Sequence, residues 1–235
     1  MSTATTHPRL PQRRGGGTGT WWSKAVLRAV EEAAFGEKDL RAGRVLARAG
    51  AVGSITVDDG GAVAAVTDGH DAFTVEVTVP VLDRTDAAAF VELVAAESGR
   101  IGALLAGQLP HAFVEAVEEA GVELLPYGGE LGSACTCDAW LDPCPHALAV
   151  LTQLAWLIQA DPFVLTHLRG LSRDRVLRDL HQLVRQPAGD APPDAGSAGD
   201  PTSIGSDDID DLVVAEDAAV RAARLLRLES PFDSW

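Results

Sequence analysis

Apolar residues recur along this chain with two periods, and the change between them marks out its elements. From Trp21 to Phe35 the positions Trp22, Val26, Ala29, Val30 and Ala33 share one face of a helix. A second helix is predicted over Asp39 to Arg48, with Leu40, Val45 and Leu46 turned inward. Between Gly50 and Leu82 the spacing becomes that of strands: Val52, Ile55 and Val57, then Val63 and Val66, then Phe73, Val75, Val77 and Val79. Asp58-Asp59-Gly60-Gly61 and Asp68-Gly69-His70-Asp71 supply turns, so a three-stranded antiparallel meander is expected.

Helical period returns over Thr85 to Gly107, with Phe90, Leu93, Val94, Ile101, Leu104 and Leu105 on one face, and over Pro110 to Gly121. Val122 to Leu125 and Glu130 to Ala134 are expected to pair as a hairpin around Tyr127-Gly128-Gly129. The run Ala147 to Gln159 is apolar almost all round and predicts a buried helix, which Asp161-Pro162 breaks. Ser172 to Val184 is amphipathic, with Val176, Leu177, Leu180, Leu183 and Val184 inward. Residues 187–206 are poor in hydrophobes and read as a disordered linker. Beyond them, 207–235 has the period of an amphipathic helix with an aromatic tail, fitted either to dock on the core or to enter a partner's groove.

All three cysteines of the chain fall within ten positions, as Cys135, Cys137 and Cys144, and His146 follows two residues later. The spacing C-x-C, six residues, C-x-H offers three thiolates and one imidazole, a full set for tetrahedral Zn²⁺ with no open position. Two competing readings exist. Three small apolar side chains could be neighbours in a core, or a Cys135–Cys144 disulfide could leave Cys137 over, although nothing in the chain points to an oxidising compartment. A strand carrying Cys135 and Cys137 would aim both at one ion, since alternate strand residues share a face. A helix beginning near His146 would complete the clasp. The expected fold is therefore α+β: an antiparallel β-meander with packed helices, plus a small ββα-like zinc finger.

Cys-Thr-Cys, the six-residue spacer and Cys-Pro-His running into an apolar helix resemble the SWIM-type zinc finger of bacterial proteins. Trp21-Trp22, the segment 41–57, Ala103–Pro110 and 160–170 add to the likeness, which covers about residues 20–185. The resemblance implies one structural zinc on Cys135, Cys137, Cys144 and His146, binding of DNA or protein partners, and companionship with a SWI/SNF-type helicase. Pro145 departs from the pattern, because related bacterial proteins often carry lysine between the last two ligands.

Charge narrows the partners. The net charge is −15, distributed as +5 over 1–50, −12 over 51–130, zero over 131–186 and −8 over 187–235. An acidic body opposes phosphate contacts, so an adapter binding a protein is the leading expectation. DNA binding is the alternative, through a disordered basic arm (1–20), a stripe of Arg41, Arg44 and Arg48, and a row of Arg175, Arg178 and Arg185, in which Arg178 can pair with Asp174. The organisation expected is arm 1–20, α+β domain 21–121, finger and following helices 122–186, linker 187–206 and terminal helix 207–235. No signal-like h-region and no apolar run of about 20 residues occur, so no membrane association is expected and the location is cytoplasmic. The filled zinc shell, with no phosphate loop, nucleophile elbow or deaminase motif, argues against an enzyme.

Overall fold

The computed structural model describes residues 4–14 and 19–185. The expected linker and terminal helix lie outside them. Among the described residues, five strands form one antiparallel sheet in sequence order: β1 (Thr5–His7), β2 (Val52–Asp58), β3 (Gly61–Asp68), β4 (Asp71–Thr78) and β5 (Gly132–Cys135). Eight helices flank it: α1 (Trp21–Ala33), α2 (Glu37–Ala49), α3 (Arg84–Ala96), α4 (Ser98–Leu105), α5 (His111–Glu119), α6 (Pro145–Ala160), α7 (Phe163–Leu168) and α8 (Arg173–Arg185). The α+β class and the central meander are as expected.

The meander holds its register through one buried face. Ala62, Ala64 and Val66 of β3 lie opposite Val57, Ile55 and Val52 of β2, and Ala64 and Ala62 lie opposite Val75 and Val77 of β4. All of these are buried. Val63, grouped with Val66 in the strand pattern, is 45% exposed, because the alternation of a strand puts it on the other face from Val66.

Both edges of the sheet differ from expectation. The arm is not free over the described part: Thr5, Thr6 and His7 pair with Val57, Thr56 and Ile55. Beyond that strand the Arg9 guanidinium donates to Gly50 O at 2.8 Å through Nε, and the Arg13 guanidinium lies 4.5 Å over the Trp156 ring. At the other edge β5 pairs with β4, Cys135 opposite Val75 and Gly132 opposite Thr78. Val122–Leu125 is irregular, so no hairpin precedes the cysteines. The β4–β5 pairing also crosses the expected boundary at 121/122, and packing joins Met1–Pro187 into one compact unit.

Helix α6 is the hub of that unit. It packs on the sheet on one side and on α1 and α2 on the other, which is why it is apolar all round and buried from His146 to Ala155. Gly43 permits the α2 contact: a Cβ there would sit 2.6 Å from Leu148 Cβ and 2.9 Å from Pro145 O. The α2 inner face is thus Leu40, Gly43 and Ala47, and Val45, expected inward, is 60% exposed. Polar handles fix the helices further: the Trp22 indole donates to Ile158 O at 3.1 Å and Gln153 Nε2 to Ala47 O at 2.9 Å.

The helix expected over 85–107 is two. Glu97 takes an extended conformation between α3 and α4, where Ser98 and Gly99 are poor helix formers. The Arg100 guanidinium then donates to Leu93 O at 2.6 Å, satisfying a carbonyl at the end of α3. A larger departure centres on Arg169, 2% exposed, which donates to Leu124 O (3.1 Å), Pro80 O (2.8 Å) and Glu123 O (2.7 Å) and pairs with Glu130 at 3.1 Å. One guanidinium thereby takes the place of the missing strand ladder over 122–125 and fixes the chain leading into β5. No helix among the described residues is long and apolar enough to cross a membrane.

Candidate metal centre

Two elements, β5 and α6, bring four candidate ligands together. Cys135 ends β5, paired with Val75, and Cys137 follows two residues on. Cys144 caps the N-terminus of α6, where its Sγ accepts the Ala147 N–H at 3.5 Å. His146 lies one residue inside that helix, after Pro145, which suits a position whose N–H would be unpaired in any case. The ligand atoms of Cys135, Cys137, Cys144 and His146 all lie within 4.8 Å of one another. His146 Nδ1 is 3.8 Å from Cys135 Sγ and 4.0 Å from Cys144 Sγ. Bonds of about 2.3 Å to sulfur and 2.0 Å to nitrogen give ligand–ligand edges of this order in a tetrahedron. This Cys3His cluster has the spacing of a SWIM-type zinc motif, and the three cysteines are free thiols.

The surroundings suit a cation at that point. His146 Nε2 lies 3.4 Å from Asp68 Oδ2, at the end of β3. That leaves Nδ1 to face the thiols while a carboxylate orients the far side of the ring, the usual support of a metal-bound imidazole. Phe73 of β4 stacks on the same ring at 4.4 Å and 23°. Ser133 and Asp142 hydrogen-bond across the base of the intervening loop. The centre therefore joins β5 and α6 and rests on the β3–β4 hairpin.

Without an ion the three thiols are unequal. Burial pushes Cys135 up to about 12, with its thiol neighbours adding to the shift. Burial also raises Cys144, outweighing the Ala147 N–H and the helix N-terminus. Cys137 is half-buried and desolvation raises it as well, but the Ala139 backbone N–H, the His146 ring and the other thiols bring it down to about 7. Loading a metal near neutral pH must then displace the protons of Cys135 and Cys144 and part of that on Cys137, so affinity falls on acidification.

The arginine rows are less available than their spacing suggests. Arg41 pairs with Glu37 at 2.5 Å, and Arg44 pairs with Glu31 of α1. Arg175 donates to Gly170 O at 2.7 Å and lies 3.6 Å from Asp179, so the i,i+4 pair on α8 is this one, not Asp174–Arg178. Arg48, Arg178 and Arg185 are exposed.

Two features of the centre escaped the sequence reading. Asp68 read as a turn residue; only the folded chain places it behind His146. Trp140, in the loop between Cys137 and Cys144, is 92% exposed. Its signal was a tryptophan with no apolar partner at helical or strand spacing, flanked by Asp138 and Asp142.

No protein-family model matches the chain, and no solved structure matches it. It is similar to the uncharacterized protein Rv2102 of Mycobacterium tuberculosis, with 30% identity over 170 residues, covering 71% of this chain and 61% of that protein. The chain thus matches somewhat under two thirds of that relative's length.

Proposed function

We propose that the chain is a non-enzymatic adapter, in which one structural Zn²⁺ on Cys135, Cys137, Cys144 and His146 holds a protein-binding surface in place. The observation that carries the reading is Trp140: a large apolar side chain, 92% exposed, on a loop with metal ligands on both sides. Exposing an indole on this loop has no benefit for folding, whereas tryptophan is enriched among the residues that dominate binding energy at protein interfaces. Four protein ligands fill a tetrahedral shell, which supports a structural role over hydrolysis, because a catalytic zinc keeps a position for water. Beside His146 lies a groove lined by Lys38, Arg41, Val45, Asp68 and Pro145, which offers a partner an exposed apolar residue and both signs of charge.

The partner proposed, on the SWIM-type resemblance, is a SWI/SNF-type helicase. The test is binding of the zinc-loaded full chain to the purified helicase encoded in the same genome, measured by calorimetry. Trp140→Ala is expected to weaken binding at least about 30-fold, the loss of a residue contributing about 2 kcal/mol, with zinc content unchanged. Equal affinity of the variant, or of the metal-free chain, rejects the adapter reading. Duplex DNA in the same cell decides the alternative: binding through about six phosphates has a log-log salt slope near −5, and such a slope, reduced by Arg48→Ala or Arg178→Ala, favours DNA.

A further inference from the structure

Away from the cysteines, the turn joining β2 to β3 brings Asp58 and Asp59 against His167 of α7. Their ligand atoms lie within 4.8 Å of one another. His167 is deeply buried, its side chain 6% exposed, yet its Nε2 makes no hydrogen bond. That nitrogen is 3.7 Å from Asp59 Oδ1, too long for a hydrogen bond. A buried ring nitrogen left unpaired costs about 1–3 kcal/mol, and a cation about 2.1 Å from both atoms bridges such a gap.

The backbone holds this arrangement in place. Gly60 N donates to Leu168 O at 3.0 Å, tying the turn to the residue after His167, and Val79 N donates to Gly60 O at 2.8 Å. Gly60 has φ +82°, a left-handed conformation that glycine adopts without strain. Asp59 N donates to Asp58 Oδ1 at 2.8 Å, which keeps that carboxylate over the turn. The carboxylates and the imidazole therefore come from two separate elements locked together by main-chain bonds, not from one flexible acidic loop.

We propose that Asp58, Asp59 and His167 form a second, exchangeable divalent-cation site, distinct from the cysteine centre. Two carboxylates and one imidazole make a harder donor set than three thiolates and suit Mn²⁺, or Zn²⁺ supplied in excess, better than a thiolate-seeking ion. An octahedral ion held by three protein ligands keeps three positions for water, so this site exchanges its ion while the finger retains zinc. When filled, it pins the β2–β3 turn to α7.

The proposal stands independently of the adapter reading, and Mn²⁺ separates the two, since it is the weakest first-row competitor for the thiolate centre. Mn²⁺ is titrated into the zinc-loaded full chain and followed by electron paramagnetic resonance of the free ion. One Mn²⁺ per chain is expected, with zinc unchanged at one. Asp59→Asn and His167→Gln are each expected to weaken Mn²⁺ binding at least about tenfold. Because His167 is buried and its variant can lose stability, Asp58→Asn, on an exposed position, is the variant that keeps the fold. Absence of saturable binding up to about 1 mM Mn²⁺, or binding unchanged in Asp58→Asn and Asp59→Asn, overturns the proposal. Mn²⁺ that displaces zinc from the finger overturns it equally.

Discussion

The two edges of the sheet are closed by different means. At one edge β5 ends in Cys135, whose thiol lies beside Cys144 and His146 at the N-terminus of α6, so that the proposed zinc would tie the two elements. At the other, three residues of β1 cover β2, with Arg9 and Arg13 fastening the segment that follows. With zinc bound as proposed, the β5 edge would be held by a few strong bonds from ligands near in sequence; the β1 edge depends on many weak contacts from a segment about 45 residues from its partner strand. Damage to the first should be all-or-none, and damage to the second graded.

Zinc removal, or Cys144→Ser, is the most severe way to break that contrast. Apparent zinc binding energies in small fingers, about 10–16 kcal/mol, match or exceed the whole stability of an ordinary domain, about 5–15 kcal/mol. Because α6 is packed on every side, losing its tie to β5 should unfold the unit rather than fray it, even though a serine can still cap the helix. Elemental analysis should give one zinc per chain in the wild type and none after dialysis of Cys144→Ser, whose melting transition should drop sharply or vanish. A metal-free chain that melts like the loaded one would refute the assignment.

Asp68→Asn is a gentler probe of the same edge. If Asp68 is only a turn residue, the change is silent. If it orients His146 through Nε2 at 3.4 Å, zinc affinity should fall about 10–100-fold in a chelator competition, while the zinc-saturated protein keeps its fold.

What the sequence revealed follows the same divide between near and far. Cys135, Cys137, Cys144 and His146 were readable because the ligands span twelve positions and their chemistry is restrictive. The meander was readable because turns and alternation are local signals. Asp68 and Phe73, more than sixty positions from Cys135, carry no mark of the metal until β3 and β4 pair. Arg169 counted only as one more charge, yet it organises 122–125 and Glu130. The hairpin expected there fits the local pattern equally well, and tertiary pairing of β5 with β4 decided against it. β1 was missed for a similar reason: Thr5-Thr6-His7 has no alternating apolar pattern, and only an open edge of β2 makes it a strand.

The mildest prediction concerns that β1 edge. His7 is half-buried, and burial lowers its pKa below the ordinary 6.5, helped by His167 and opposed by Asp161. Arg173 and Asp174 line the same cleft. Between the depressed folded value and 6.5 the unfolded chain binds more protons than the native one, so stability rises with pH across that window. The contribution is therefore fully present above pH 6.5 and is lost as pH falls through the folded pKa. Urea melts of zinc-loaded wild type and His7→Gln, from about pH 8 to about 5.5, should show the wild type losing stability faster than the variant below 6.5. Comparing two zinc-loaded chains cancels the acid sensitivity of the thiolates, which both share. Parallel profiles would mean that the His7 side chain adds no pH dependence to the β1 edge, and acid sensitivity would then belong to the cysteine edge alone.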